Sequence, residues 1–164
     1  MRFVHGGLTR RDCLGAALLG VAGVELGRAE DGVTSASLPL PVSLADALAA
    51  ALLVAQPLVV LVSLEGCPFC RVARENYLAP LRRREGLPVV QLDMRSARVV
   101  RDFQQRETSH EALIRGWGIQ VAPTVLFFGA QGREVAERLK GAYIADFYGA
   151  YLEQRLETAR KRLL

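Results

Sequence analysis

The sequence predicts an α/β domain in which a mixed central sheet of about four strands is flanked by helices. Apolar runs of strand length alternate with helical segments, which favours parallel strands joined by helical crossovers. A Gly-Ala-Gln-Gly turn at 129–132 then separates two further strands and adds an antiparallel hairpin. The predicted order of elements is α-β-α-β-α-β-β-α.

Caps and prolines give the predicted element boundaries. Ser43 is a favourable N-cap for an Ala- and Leu-rich helix, and Pro57 ends that helix. Pro80 predicts a kink or an early end in the second helix, and Ser109 caps the third. Residues 96–106 show at best an amphipathic pattern. The predicted helices span 44–56, 71 to about 84, 110–116 and about 144–162, and the predicted strands span 57–64, 88–94, 124–128 and 133–139.

The N-terminal region has the features of an export signal. Arginines at positions 2, 10 and 11 precede an apolar stretch of 11 residues at 14–24. A membrane-spanning helix needs roughly 20 apolar residues, so this stretch fits the apolar core of a signal peptide. The Arg10-Arg11 pair also resembles a twin-arginine signal. We therefore expect a protein exported to the periplasm, with an uncleaved signal that anchors it to the membrane as the alternative.

The expected organisation is a signal peptide at 1–29, a linker at 30–42 and one domain at 43–164. The whole chain has 21 basic and 17 acidic side chains and a net charge of +4. Four of the basic and two of the acidic residues lie in the signal, which leaves 17 and 15, a net charge of +2. Because no basic stripe is present, the composition argues against a nucleic-acid partner.

The most informative motif is Cys67-Pro68-Phe69-Cys70, which joins the first apolar strand to the second helix. A sulfur near a helix N-terminus is favoured as the thiolate, and the thiolate is the nucleophile. The third cysteine, Cys13, lies within the predicted signal, so the mature chain keeps only this pair. A stabilising disulfide across so short a loop would contribute little, so the pair is expected to serve redox chemistry.

This order of elements, with a Cys-x-x-Cys motif after the first main strand, resembles the thioredoxin-like superfamily. The segment 121–124, Val-Ala-Pro-Thr, precedes an apolar strand and resembles the cis-proline loop of that family. Gly141 matches the glycine before the last helix. The resemblance covers about 43–163 and is nearest to exported bacterial thioredoxin-related proteins of the SoxW-like and thiol:disulfide interchange group. It implies a thioredoxin-like fold.

The expected mechanism assigns a role to each residue of the motif. Cys67 attacks a substrate disulfide and Cys70 resolves the mixed disulfide. Pro68 presets the start of the helix, and Phe69 offers an apolar patch to substrate. The resemblance further implies that the backbone of Val121 or Ala122, followed by Pro123 in the cis form, pairs with an extended substrate.

One position departs from the family pattern. Ordinary thioredoxins place a buried Asp six residues before the first cysteine, where it helps to move the proton of the second. Leu61 occupies that position here, and Glu65 is the only carboxylate close to the motif in sequence. Glu65 is therefore the candidate for proton transfer, with water as the alternative.

The sequence thus predicts a periplasmic thiol–disulfide oxidoreductase that exchanges disulfides with proteins. The SoxW-like resemblance favours reduction, with a membrane protein as the expected electron donor. No cofactor beyond a redox-active Cys67–Cys70 disulfide and no metal is expected. Two alternatives remain: a copper(I) metallochaperone, for which Met94 and His110 are the only Met and His after residue 29, and a redox-inactive thioredoxin-like binding module.

Overall fold

The computed structural model describes residues 37–141 and 145–163. The predicted signal peptide at 1–29, including Cys13, lies outside the described residues. Within the described ranges, no helix is both long enough and apolar enough to cross a membrane.

The described chain forms the predicted alternation of helices and strands, with one additional hairpin. The helical elements are α1 (Leu44–Leu53), α2 (Pro68–Val72), a π-helical segment (Ala73–Leu78), α3 (Ala79–Glu85), α4 (His110–Gly116), a 3₁₀ turn (Ala130–Gly132) and α5 (Ala145–Lys161). The strands are β1 (Leu58–Ser63), β2 (Val89–Asp93), β3 (Val99–Arg101), β4 (Glu107–Ser109), β5 (Thr124–Gly129), β6 (Arg133–Glu134) and β7 (Leu139–Lys140).

The central sheet is mixed, as predicted, and has the order β2-β1-β5-β6, with β7 also paired to β5. Strands β1 and β2 are parallel, with Ser63 opposite Asp93. Strands β1 and β5 are antiparallel, with Val62 opposite Thr124. The end of β1 therefore lies beside the end of β2 and the start of β5, so three loops meet at one edge of the sheet.

Strand β1 is buried on both faces because helices cover both sides of the sheet. Val59 and Leu61 point into a core cluster that includes residues of α3 and α5. Val60 and Val62 point into a second cluster that includes residues of α1 and α4. Alternate side chains of one strand therefore enter two different cores, which explains the continuous apolar run in the sequence.

The helix after the dithiol differs from the prediction in its start and its regularity. It begins at Pro68 rather than at residue 71, and α2 and α3 are joined by the π-helical segment. At the end of that segment the Ala79 N–H donates to the carbonyl of Arg74, five residues back. Pro80 follows in the first turn of α3. The predicted irregularity at Pro80 is thus a widened turn immediately before it.

The hairpin β3–β4 was not predicted, because each strand has only three residues and shows no usable periodicity. Its turn is closed by the carboxylate of Asp102, which accepts from the backbone N–H groups of Gln104 at 2.8 Å and Arg106 at 2.9 Å. The Arg106 side chain also donates to Asp102 at 2.9 Å. A side chain rather than an Asn-Gly pair forms this turn, so the sequence lacked the common hairpin signal.

Other boundaries also differ from the predictions. Helix α1 ends at Leu53 rather than at residue 56. The strand predicted over 133–139 is divided into β6 and β7, and Arg138 between them donates to the Trp117 carbonyl at 2.7 Å. Part of the segment predicted as a linker packs on the domain: Leu38 is buried, and the Pro39 carbonyl accepts from the Gln91 N–H at 2.9 Å. The folded unit therefore begins before Ser43.

Gly132 is expected to be intolerant of a side chain. Its φ is +68°, and an added Cβ would lie 2.5 Å from Cγ of Phe103. Since the Phe103 ring packs on Phe128 with centroids 4.7 Å apart, it has little freedom to move. We expect Gly132→Ala to lower the free energy of unfolding by about 1–3 kcal/mol in urea denaturation.

Gly116→Ala is the matched control for this prediction. Gly116 is helical, and an added Cβ would meet no atom within 4 Å, so this variant should be neutral or stabilised. Equal stability of the two variants would contradict the expected clash at Gly132.

His110 is expected to make the fold sensitive to mild acid. The side chain is fully buried, and its Nδ1 accepts from the Asp93 N–H at 3.2 Å. Burial lowers its pKa from the ordinary 6.5, the Asp93 carboxylate opposes this, and Arg98 reinforces it. The folded state therefore holds the neutral ring, and stability is lost as the pH falls through the unfolded-state pKa.

Urea denaturation at about pH 7.5 and about pH 5.5 measures this loss. In His110→Asn, whose carboxamide oxygen can replace Nδ1 as acceptor, the difference between the two pH values should shrink. An unchanged difference would assign the acid sensitivity to other groups.

Candidate active site

The dithiol lies where β1 passes into α2. The Cys67 N–H donates to the Leu64 carbonyl at 3.2 Å, which closes a tight turn after the strand. Gly66 within this turn has a φ of +74°, a conformation that favours glycine. The turn places Cys67 at the N-cap of α2, with Pro68 in the first turn, where its missing N–H is not needed.

Cys67 is the accessible thiol of the pair. It is partly exposed, and its Sγ accepts a hydrogen bond from the Cys70 N–H at 3.3 Å. Partial burial acts to raise the pKa of the Cys67 thiol. Hydrogen bonds from the Cys70 thiol and from the N–H groups of Cys70 and Phe69 outweigh this and lower the pKa below its ordinary 9.0. The site therefore favours the Cys67 thiolate.

Cys70 has the opposite character. Its side chain is 1% exposed. Burial, followed by its hydrogen bond to Cys67, raises the pKa of the Cys70 thiol to about 11. Two thiols three positions apart thus differ in both access and acidity, which is the asymmetry that sequential attack and resolution require.

Ser63 is a site residue that the sequence analysis missed. It is buried at the end of β1, and its side chain forms a hydrogen bond with the Cys70 thiol that favours the thiolate. A serine at the end of an apolar strand carries no motif of its own. The only available signal was one hydroxyl in an otherwise apolar run that leads to the dithiol.

We expect Ser63→Ala to slow the reaction of Cys70 but not that of Cys67. Loss of the hydroxyl hydrogen bond should raise the pKa of Cys70 further and slow resolution about two- to tenfold. Stopped-flow reaction with Ellman's reagent separates attack by Cys67 from resolution by Cys70, as two successive releases of the coloured thiolate. Ser96→Ala is the control, and an equally slow second release in both variants would exclude a specific role for Ser63.

The loop at Pro123 lies at the same edge of the sheet as the dithiol. The Ala122–Pro123 peptide bond is cis, and Thr124 immediately after it pairs with Val62 of β1. The Val121 carbonyl accepts from the Thr124 hydroxyl, and the Pro123 carbonyl accepts from the Gly141 N–H, both at 2.7 Å. These bonds hold the loop on both sides of Ala122.

Helix α2 and the proline loop both carry exposed apolar side chains. Phe69 is 58% exposed, and Val72 on the same short helix and Val121 in the proline loop are also exposed. Leu61, at the position of the family's buried acid, is fully enclosed in the core cluster with α3 and α5. Glu65 is exposed in the turn before Cys67. Position 61 therefore carries no acid, and Glu65, the carboxylate nearest to the motif in sequence, lies on the surface instead.

The residues considered for copper binding do not join the dithiol. His110 is buried against the Asp93 backbone, and Met94 packs against the core cluster with α1 and α4. Among the residues that the structure describes, no three His, Cys, Asp or Glu side chains form a cluster suited to a metal ion.

A mixed sheet with a Cys-x-x-Cys pair at a strand-to-helix junction and a cis-proline loop beside it defines the class of the thioredoxin fold. The family model described as "Thioredoxin-like domain" matches residues 44–156, and the chain belongs to this family. The protein is accordingly a thioredoxin-like thiol–disulfide oxidoreductase. No curated protein matches the chain significantly.

The chain is also similar, at low sequence identity, to solved thioredoxin-like structures. Thioredoxin O2 from Arabidopsis thaliana is 18% identical, with a TM-score of 0.45 over 74% of this chain and 96% of that one. The periplasmic thioredoxin SoxS from Paracoccus pantotrophus is 21% identical, with a TM-score of 0.40 over 63% and 99%. The C-terminal domain of DsbD from Neisseria meningitidis is 20% identical, with a TM-score of 0.46 over 68% and 90%.

Proposed function

We propose that the protein is a periplasmic oxidoreductase that reduces disulfides in other proteins through Cys67 and Cys70. The observation that carries the proposal is the inequality of the two thiols. Cys67 is accessible and its pKa is lowered, whereas Cys70 is buried and its pKa is raised to about 11. The Cys67 sulfur can thus attack a substrate disulfide, and the buried Cys70 sulfur can then resolve the mixed disulfide.

The reaction proceeds by two exchanges. The Cys67 thiolate attacks one sulfur of the substrate disulfide, the substrate S–S bond breaks, and the departing sulfur leaves as a thiolate that takes a proton. Cys70 then loses its proton and attacks Cys67 Sγ, which releases the second substrate thiol. Two electrons pass to the substrate, and the protein is left with a Cys67–Cys70 disulfide. Formation of the Cys70 thiolate is the demanding step because its pKa is raised.

Among the side chains that the structure describes, the one buried carboxylate is Asp102, which closes the β3–β4 turn and does not assist proton transfer from Cys70. Leu61 fills the position where thioredoxins hold an acid, and Glu65 is exposed. We propose that the Ser63 hydroxyl stabilises the Cys70 thiolate and that water, with Glu65 nearby, accepts the proton. Conversion of the substrate sulfur into a leaving thiolate also makes a base available at the moment of resolution.

The proline loop and the apolar surface supply the substrate contacts in this proposal. An extended substrate segment pairs with the backbone at Ala122, which the neighbouring bonds hold in place. Phe69 and Val121 cover apolar side chains of the segment. The expected substrates are therefore proteins with accessible disulfides.

The proposed location and electron supply follow from the N-terminal sequence. An export signal at 1–29 would deliver a mature chain with the Cys67–Cys70 pair as its only cysteines. Cytosolic reductants do not keep thiols reduced in the periplasm. Repeated reduction of the Cys67–Cys70 disulfide there requires an electron donor at the membrane.

Catalysed reduction of insulin tests the proposed function. With dithiothreitol as the electron source, the protein should accelerate precipitation of the insulin B chain well above the rate with dithiothreitol alone. In a parallel assay it should accelerate oxidative refolding of reduced ribonuclease less strongly. No acceleration in either assay would contradict disulfide exchange, and acceleration of oxidation alone would reverse the proposed direction.

A further inference from the structure

We propose that the surface beside Cys67 selects protein disulfides flanked by acidic residues. This inference rests on the proposed function, because it concerns the substrate of the same attacking thiol. The observations that carry it are a polar cleft next to Cys67 and the distribution of charge along that cleft.

The cleft has a volume of about 1180 Å³ and is formed by the turn before α2, by α2 itself and by the residues that follow β2. Three arginines line it: Arg71 from α2, Arg74 from the π-helical segment and Arg95 from the loop after β2. Cys67 lies in the same wall. A substrate segment that brings a disulfide to Cys67 on this side must therefore pass these cations.

The charged side chains that line the cleft are three arginines and two carboxylates, which gives the lining a net charge of +1. The two carboxylates are Glu65 and Asp93. Asp93 accepts from the Gln91 amide at 2.8 Å. Arg74 donates to Gln91 at 3.4 Å and pairs with Glu75 at 3.4 Å.

The two remaining arginines give the cleft its positive character. Arg71 and Arg95 are both exposed, and neither pairs with an acidic side chain in the described part of the chain. The exposed charged side chains of the lining are thus two cations and one carboxylate, because Arg74 and Asp93 are half-buried. The part of the lining that an incoming substrate meets is consequently positive by one charge.

Arg95 lines a second cleft as well as the cleft beside Cys67. The lining of this second, smaller cleft includes Leu64, Arg95 and Ala122, together with Glu111 and Arg115, which pair with each other at 3.0 Å. Leu64 and Arg95 therefore border both clefts. A segment that pairs with the backbone at Ala122 therefore lies along a cleft that Arg95 also lines, and Arg71 lines the cleft that holds Cys67.

Carboxylates on either side of the substrate cysteine would meet these arginines, whereas lysines would be repelled. Charge complementarity of this kind acts mainly on the rate of productive encounter and weakens with salt. Arg95 and Arg71 are accordingly specificity residues, separate from the bond-making sulfurs.

Three disulfide peptides of equal length, with Glu, Gln or Lys on both sides of the cysteine, test this inference. The reduced wild-type protein should react fastest with the Glu peptide and slowest with the Lys peptide at low ionic strength. Arg95→Glu should lower the Glu-to-Lys ratio of rate constants about tenfold, and Arg71→Glu should lower it in the same direction. A substitution that changes the reactivity of the Cys67 thiolate alters the rate constants of all three peptides by the same factor, so the ratio is unaffected by it.

Arg133→Glu is the control for net charge. Arg133 is exposed and pairs with Gly129, at the end of the sheet opposite the dithiol. This variant should keep the wild-type ratio. Equal rates for the three peptides, or a ratio that Arg133→Glu lowers as much as Arg95→Glu, would overturn the inference.

The Gln peptide separates this inference from the proposed function. If the Gln peptide reacts at a normal rate and the Glu and Lys peptides react equally fast, the proposed oxidoreductase function stands and only the preference for acidic substrates is contradicted. No reaction with any of the three peptides would contradict the proposed function itself. Oxidised glutathione, a small anionic disulfide, is measured as a fourth substrate. If Arg95→Glu and Arg71→Glu slow its reaction but leave the ratio for the peptides unchanged, the arginines serve a small anionic disulfide and not an acidic protein segment, and the inference is overturned.

Discussion

Replacement of Cys67 by Ser is expected to abolish disulfide exchange, with a loss of rate on the order of 10³-fold or more. Cys67 is the only accessible thiol of the pair, and Cys70 is 1% exposed with a raised pKa. A hydroxyl at position 67 cannot act as the nucleophile, and Cys70 cannot reach a protein disulfide from its buried position.

Cys70→Ser provides the paired result. This variant keeps the attacking sulfur but cannot resolve the intermediate, so it should accumulate a mixed disulfide between Cys67 and the substrate. Mass spectrometry after incubation with a disulfide-bonded protein detects the added mass, which should disappear with dithiothreitol. Trapping in Cys67→Ser instead of Cys70→Ser would reverse the assignment of the two thiols.

Iodoacetamide should distinguish the two cysteines strongly at neutral pH. Alkylation requires the thiolate, and the pKa of Cys67 lies below 9.0 whereas that of Cys70 is about 11. The Cys70 thiolate fraction alone is roughly 100-fold below that of an unperturbed thiol, and burial slows access further. Peptide mapping should therefore show modification of Cys67 before any at Cys70.

The pH dependence of this reaction has a predicted sign. Alkylation of Cys67 should rise with pH and level off below the pH expected for a free cysteine. Cys70→Ala should shift that curve to higher pH, because the hydrogen bond from the Cys70 thiol is lost. Cys70→Ser retains a hydroxyl donor and should shift it less. A curve for wild-type protein centred at or above 9.0 would contradict the lowered pKa of Cys67.

The predictable parts of the fold were those with a strong local pattern. The Ser109 cap has the predicted contact, since its hydroxyl accepts from the Ala112 N–H at 3.1 Å. The continuous apolar run at 57–64 correctly indicated the strand β1. The hairpin β3–β4 was not predicted, because its turn depends on hydrogen bonds to the Asp102 carboxylate that form only in the folded chain.

The site was predictable where chemistry is carried by a motif and unpredictable where it depends on tertiary contact. The pair Cys67 and Cys70 follows from spacing and cysteine count. Ser63 was missed because its role arises only when the end of β1 lies against Cys70. Arg95 was missed because the loop after β2 reaches the dithiol only through the parallel pairing of β1 and β2.

The reduction potential of the Cys67–Cys70 couple tests the central claim most directly. It is measured by equilibrating the protein with defined redox buffers and counting free thiols by mass spectrometry after alkylation. A reductase should give a single two-electron midpoint near about −270 mV. A midpoint near about −120 mV would identify an oxidant instead, and the absence of any two-electron transition would contradict a redox role for the pair.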